Sequence, residues 1–240
     1  MKMDEQRVAK YKAEGFLQQK DKEHFAVRIV PVGAHMSTAH MRTVVNIAAE
    51  YGGGSINFTQ RGAVEIPYIK AENIEAVKGK MVEAGLRHGG TGKRVRPIVC
   101  CKGTYCRFGQ VDTQAWCAAM DRHFFGYPLP HKFKIALCGC SNNCTRIQLN
   151  DVGAMSMGRK GFRVFVGGRA GRELVAGQPL AAIVAPEALH ETIGKILRFF
   201  EENGREKERL AQTIARLFAE DASFDLQKRI DACDSVPFLA

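Results

Sequence analysis

The sequence predicts an α+β protein in two lobes, the first of them ferredoxin-like, on three observations. The order of apolar patterns before residue 88 is strand, helix, strand, strand, helix, the split unit of a ferredoxin-like fold. A glycine-rich stretch, "HGGTGKR" at 88–94, then breaks the pattern. Beyond it a second series of strands and helices begins, with a set of cysteines between its first elements.

Residues 1–22 are polar and charged and read as an N-terminal arm or a short helix. In "FAVRIVPVG" Phe25, Val27 and Ile29 alternate as in a half-buried strand, which turns at Pro31 and Gly33. Ser37 is placed to cap a helix whose residues Met41, Val44, Val45 and Ala48 share one face, and "YGGG" ends it. "SINFTQRGAVEIPYI" reads as two strands or one bent strand, broken at Arg61-Gly62. Ile74, Val77, Met81 and Val82 mark the second helix, closed by Gly85.

In the second lobe "VRPIVC", "FKIALC" and "FRVFVGG" read as strands and 110–123 as a helix. Leu189, Ile193, Ile196, Leu197 and Phe200 form the apolar stripe of a further helix, with Pro186 near its start and Gly204 past its end. Leu210, Ile214 and Leu217 continue in another helix, and 221–240 reads as a C-terminal tail. The expected layout is an arm at 1–22, a ferredoxin-like lobe at 23–88, a second α+β lobe at 89–220 and the tail.

The chain has 240 residues and a formal charge of +10, which calls for anionic partners without naming them. There is no Lys/Arg block and no stripe of interleaved aromatics, so nucleic acid is not expected. Nor is a membrane, since no apolar run is long enough to span one. The first residues carry charges where an export signal needs apolar ones, which points to the cytoplasm. There thiols stay reduced, and clustered cysteines serve metals or catalysis more often than disulfides.

Seven of the eight cysteines fall between residues 100 and 144. Cys140 and Cys144 stand about one helical turn apart, and either Cys100 or Cys101 pairs with Cys106 around Gly103. Four thiolates from two loops suit zinc or an iron–sulfur cluster equally by ligand count. Glycines and polar residues surround these cysteines, whereas Cys117 and Cys233 read as ordinary packed thiols.

The run "CCKGTYCRFG…LPHKFKIALCGCSNNCTRIQLNDVG" resembles the siroheme and [4Fe-4S] region of the sulfite and nitrite reductase family. "YGGGSINFTQRGAVEIP" upstream is similar to the family's segment ending in Thr-x-Arg, and "GFRVFVGGRAGRE" downstream to its Val-Gly-Gly turn. The resemblance implies a ferredoxin-like half-domain at 23–88 and a siroheme and [4Fe-4S] domain at 89–220. It also implies cluster ligands at Cys101, Cys106, Cys140 and Cys144, with Cys144 axial to the siroheme iron as well. The family's Cys-x5-Cys spacing selects Cys100 instead, while its Cys-x-Gly register selects Cys101, so Cys100 stands as the alternative. Larger members hold two copies of the lobe pair, so this chain would bind siroheme alone or across the interface of a homo-oligomer.

By the same resemblance Arg61, Arg96, Lys132 and Lys134 are catalytic, attracting a small anion and supplying protons at the open face of the iron. Siroheme carries many carboxylates, for which Arg28, Arg94, Lys102, Arg107, Arg146, Arg169 and Arg172 are candidates, with Asn143 and the Gly167-Gly168 backbone. The implied activity is reduction of sulfite to sulfide with electrons from an external donor, such as a ferredoxin or a reductase subunit. Nitrite reduction, or a cluster-bearing electron-transfer subunit without siroheme catalysis, are the alternatives.

Overall fold

A computed structural model describes residues 4–237. The first three residues of the expected arm and the last three of the expected tail lie outside the described residues. The chain divides into two compact units between Gly92 and Lys93, inside the glycine-rich stretch.

In the N-terminal unit the expected arm is largely folded structure. Helix α1 (Glu5–Ala13) starts on Asp4, whose carboxylate accepts the Gln6 N–H, and strand β1 (Phe16–Gln18) follows. Tyr11 and Phe16 are buried, with the Tyr11 ring edge-on to Phe25 at 5.5 Å, so this segment belongs to the core. Strand β2 (His24–Ile29) turns Phe25, Val27 and Ile29 inward, as the alternation requires.

Helix α2 (Thr38–Tyr51) is capped by the Ser37 hydroxyl, which accepts the His40 N–H at 3.1 Å. Its buried face is Val44, Ile47 and Ala48; Val45, expected there, is 48% exposed because the helical period turns it outward. Strands β3 (Asn57–Phe58) and β4 (Val64–Lys70) flank the Arg61-Gly62 turn, and helix α3 (Ile74–Glu83) ends before Gly85, which takes a left-handed φ of 66°. The antiparallel sheet runs β1-β2-β4-β3, with α2 and α3 supplying the apolar residues that bury one face.

The second unit is built on a five-stranded mixed sheet in the order β5-β6-β7-β8-β9. Of "VRPIVC" only β5 (Val99–Cys100) joins the ladder, because Pro97 has no N–H to donate to it. Helix α4 (Thr113–Phe124), capped by Asp112, connects β5 to the parallel strand β6 (Ile135–Cys138). All four residues of β6 are buried, as befits an interior strand that reads as one apolar run.

Strand β7 (Val152–Ser156) pairs parallel with β6 and antiparallel with β8 (Phe162–Val166), and β9 (Gln178–Pro179) closes the edge. No strand was expected at 152–156, since Asn-Asp-Val-Gly carries the chemistry of a turn. Helix α5 (Leu189–Asn203) buries its whole predicted stripe. Helices α6 (Leu210–Glu220) and α7 (Leu226–Asp231) complete the unit. Ile230 and Val236 are buried, so most of the expected tail folds with this unit.

Candidate functional site

The register of two parallel strands places the thiols. Cys100 pairs with Leu137, so Cys101, the first residue past β5, and Cys138, the last residue of β6, stand side by side at the carboxyl edge of the sheet, where open α/β sheets hold ligands. The Cys101 N–H donates to the Leu137 carbonyl at 3.2 Å, and the Gln110 N–H ties the first loop to the Gly139 carbonyl at 3.0 Å. Close backbone contact fixes the first loop: a Cβ on Gly109 would lie 2.1 Å from the Gly103 carbonyl oxygen. Between the loops opens a cavity of about 380 Å³, walled by Cys100, Cys101, Cys106, Cys138, Cys140 and Cys144.

The thiols differ in character. Cys101 is held near a pKa of about 5, chiefly by a hydrogen bond with the Cys138 thiol. Burial works against this, and the backbone N–H groups of Gly103 and Gly139 and the Thr113 hydroxyl reinforce it. The Gly139 N–H reaches the Cys101 sulfur at 3.2 Å. Cys138 is pushed the other way, above the usual thiol range, by Cys101 and by burial. Cys100 is buried at the end of β5, while Cys144 is exposed. Among the described residues no three His, Cys, Asp or Glu side chains converge on a single metal ion. The thiols ring a space instead, and they are the soft donors that zinc or an iron–sulfur cluster takes.

The predicted cations gather at the opposite end of β6. Val95 bridges Phe133 in parallel, with the Arg96 N–H on the Phe133 carbonyl and the Phe133 N–H on the Arg94 carbonyl. Val95 and Phe133 are fully buried, so the residues flanking them, Arg94 and Arg96 on one segment and Lys132 and Lys134 on the other, face away from the core. Lys132 is half-buried and its pKa is lowered, first by burial and then by Arg209 and Arg96; Asp151 opposes this and Arg169 adds to it. His131 is lowered too, by burial and by Lys132, Arg209, Lys93 and Arg96. A shared field of positive charge with one carboxylate in it attracts anions. Lys134 precedes Cys138 by four residues of extended chain, roughly 13 Å at about 3.3 Å each.

The remaining expected residues divide. Lys102 lines the cavity, and Arg107, stacked on the Phe108 ring at 4.7 Å, and Arg146 are exposed on the two cysteine loops. Arg169 pairs with Glu173, Arg172 is exposed in the same turn, and Arg94 is exposed. Asn143 spends its side chain on the turn, donating to the Gln148 side chain at 2.5 Å and accepting the Ile147 N–H at 2.9 Å. Gly168 answers to packing, since a Cβ there would sit 2.0 Å from the Gln148 carbonyl oxygen. Arg28 and Arg61 belong to the N-terminal unit; Arg28 is engaged by Glu65, its Nε 2.7 Å from the carboxylate, and Arg61 is half-buried in the turn before β4.

Sequence reasoning missed Cys138, which only the β5–β6 register brings to the cavity, and the buried pair Asp151–Arg209 beneath the lysines. Nothing in the spacing of residues 151 and 209 signals their contact.

A cysteine-walled cavity at the carboxyl edge of a mixed sheet, in a chain whose other unit is ferredoxin-like, is the architecture of an iron–sulfur protein class. Residues 91–223 match the nitrite and sulphite reductase 4Fe-4S domain, and residues 17–84 the nitrite/sulfite reductase ferredoxin-like half domain. The chain belongs to the nitrite and sulfite reductase family.

Among its relatives, a nitrite reductase [NAD(P)H] of Bacillus subtilis is 26% identical over 77% of this chain and 23% of its own length. A coenzyme F420-dependent sulfite reductase of Methanocaldococcus jannaschii is 34% identical over 53% of this chain and 20% of its own. An assimilatory-type sulfite reductase of Nitratidesulfovibrio vulgaris is 28% identical over 51% of this chain and 56% of its own. The chain thus spans less than two thirds of the length of each. Mycobacterium tuberculosis NirA shares the fold with a TM-score of 0.80 at 19% identity, over 99% of this chain and 49% of that one.

Proposed function

We propose that this protein reduces sulfite to sulfide at a siroheme coupled to a [4Fe-4S] cluster, using electrons from an external donor such as a ferredoxin or a reductase subunit. The observation that carries the reading is the cavity of six cysteines at the carboxyl edge of β5 and β6. Cys101, Cys106, Cys140 and Cys144 would hold the cluster. Cys101 is preferred to Cys100 because the hydrogen bond with Cys138, reinforced by backbone N–H groups, already favours its thiolate, the form that binds iron. Cys144 is the exposed one of the four and would bridge to siroheme. When bound, the two groups supply the electron path and the iron site at which an oxyanion is reduced.

The chain's own residues supply charge and protons. Arg96, Lys132 and Lys134 concentrate a small anion by Coulomb attraction in a partly desolvated setting, and the lysines donate protons toward departing oxygens. Arg61 is the further substrate-side cation that the family resemblance implies, and Lys102, Arg107 and Arg146 meet siroheme carboxylates near the cavity. Among the described residues no helix is long and apolar enough to cross a membrane. Cysteines that serve as cluster ligands rather than disulfide partners are those of a reducing, cytoplasmic setting.

Nitrite reduction is the second reading, favoured by the Bacillus subtilis relative, whose match covers 77% of the chain. The test is the visible spectrum of anaerobically purified protein, with turnover of sulfite and nitrite by a reduced dye. A Soret band with a red band and faster sulfite turnover is expected. A broad shoulder without a Soret band would leave an electron-transfer subunit in place of the enzyme, and a colourless protein would leave zinc or nothing. Native mass of the coloured protein decides whether one copy or two hold the group.

A further inference from the structure

Asp151 lies under the cationic segment and is fully buried, and Arg209 is 5% exposed. The guanidinium grips the carboxylate at two points, Nε to Oδ1 at 3.1 Å and Nη2 to Oδ2 at 2.5 Å. The same Oδ2 accepts the backbone N–H of Lys134 at 2.8 Å. The Lys134 carbonyl in turn accepts the Val152 N–H at 3.1 Å, so both backbone groups of this lysine are fastened to residues 151 and 152. The Asp151 carbonyl also accepts the Gly167 N–H at 2.9 Å, which ties in the turn that carries Arg169. Arg209 is itself held at the start of α6, where its N–H donates to the Gln212 side chain at 3.0 Å.

A buried ion pair is a poor source of net stability. Desolvation offsets the attraction, and an apolar pair of similar volume serves the core as well or better. What an apolar pair cannot supply is an acceptor for the Lys134 N–H, a group that must find a partner when it is buried. Asp151 is also the one carboxylate among the charges acting on Lys132, whose other neighbours are Arg209, Arg96 and Arg169.

We propose that Asp151 and Arg209 are positioning residues that set the place of Lys132 and Lys134 in the anion site. The proposal rests on the reading of those lysines as substrate-side cations. Arg209 fixes the carboxylate, the carboxylate fixes the backbone of Lys134, and alternation along the strand then aims both lysines. Neither residue of the pair touches substrate.

Two double variants of the siroheme- and cluster-loaded protein separate positioning from packing. Asp151→Leu/Arg209→Met removes both charges and the acceptor, whereas Asp151→Asn/Arg209→Met restores an acceptor for the amide. In the leucine variant, hydrogen exchange at the Lys134 amide should quicken at least about tenfold, at a melting temperature close to the parent's. Its KM for sulfite should rise about tenfold with a smaller change in kcat. The asparagine variant should recover both.

Unchanged exchange at Lys134 in the leucine variant overturns the proposal whatever the substrate is. Faster exchange with an unchanged KM overturns it as well, provided that Lys132→Ala does raise KM. If Lys132→Ala leaves KM unchanged, the substrate-side reading fails, and the exchange result still decides whether the pair places the strand. Should the double variants not fold, Arg209→Lys keeps the charge and loses the two-point grip. A raised KM there supports the proposal, and a parental KM refutes it.

Discussion

Replacing Cys138 with alanine should raise the pH at which Cys101 loses its thiolate. The wild-type thiol titrates at about 5 against an ordinary value of 9.0, and the hydrogen bond with Cys138 is the largest cause. A hydrogen bond to a charged group contributes about 1.5–3 kcal/mol, so its loss moves the titration up by about 1–2 units. Cys138 has one proton and two acceptors within reach, Cys101 and the Cys140 carbonyl at 3.4 Å, which places the expected shift at the lower end of that range.

The assay is alkylation of the cluster-free chain at a series of pH values, with the label located by mass spectrometry. Rate alone is a poor witness at neutral pH. An ordinary thiol is about 1% ionised at pH 7, but the intrinsic nucleophilicity lost over four units at a Brønsted slope of about 0.45 is roughly 60-fold, so the two thiols react at similar rates. At pH 6 the ordinary thiol falls tenfold and Cys101 barely changes, leaving Cys101 ahead by roughly 15-fold. The wild-type profile should therefore stay flat down to about pH 5, and the alanine variant should begin to fall a unit or more higher. The sign carries over to stability. A depressed thiol pKa adds stability that is complete above the ordinary thiol range and is lost as pH falls through about 5. A wild-type rate falling tenfold between pH 7 and pH 6 would refute the thiolate reasoning, and with it the preference for Cys101 over Cys100.

The other expectations follow from the same geometry. Cys101→Ser should lower iron and sulfide content in the purified protein while Cys100→Ser keeps it; the reverse result restores the longer spacing. Lys132→Ala, Lys134→Ala and Arg61→Ala should each slow sulfite turnover by about ten- to a hundredfold, the loss of roughly 1–3 kcal/mol of charge stabilisation, with the cluster spectrum intact. Parental turnover in all three would favour electron transfer without catalysis. Gly109→Ala forces a Cβ to 2.1 Å from the Gly103 carbonyl and should abolish cluster assembly while leaving the far-ultraviolet circular dichroism nearly unchanged; normal iron content would show that the loop can yield.

Much of the fold is legible in the sequence because local rules decide it. Ser37 caps α2, Gly85 ends α3, and the α5 stripe points inward as its period requires. The misreadings have local causes as well. The charged residues 5–13 hide a single buried aromatic, Tyr11, which is enough to bind the helix to the sheet. Asn150-Asp151-Val152-Gly153 has the composition of a turn, yet Gly153 stands in β7 because a Cβ there would meet the Ile147 carbonyl oxygen at 2.4 Å. The site was legible in its residue types, since the cysteine spacing and the Lys-x-Lys pair are visible in one dimension. Its partners were not, because Cys138 reaches Cys101 through a strand register and Arg209 reaches Asp151 across 58 positions.

Strand β6 links the two halves of the site, and its burial explains why they can differ so sharply in chemistry. Its first three residues, Ile135, Ala136 and Leu137, contribute nothing polar, so the strand works as a buried apolar spacer between a cationic segment and the cavity that Cys138 helps to wall. Acid-favouring and thiolate-favouring environments are kept about four residues apart along one chain. At the first end, burial first and then the charges of Arg209 and Arg96 lower the Lys132 pKa. At the second, the Cys138 thiol first and then backbone N–H groups favour the Cys101 thiolate. On the proposed reading, in which an oxyanion takes up both protons and electrons, the length of β6 sets the separation of the residues that would supply them.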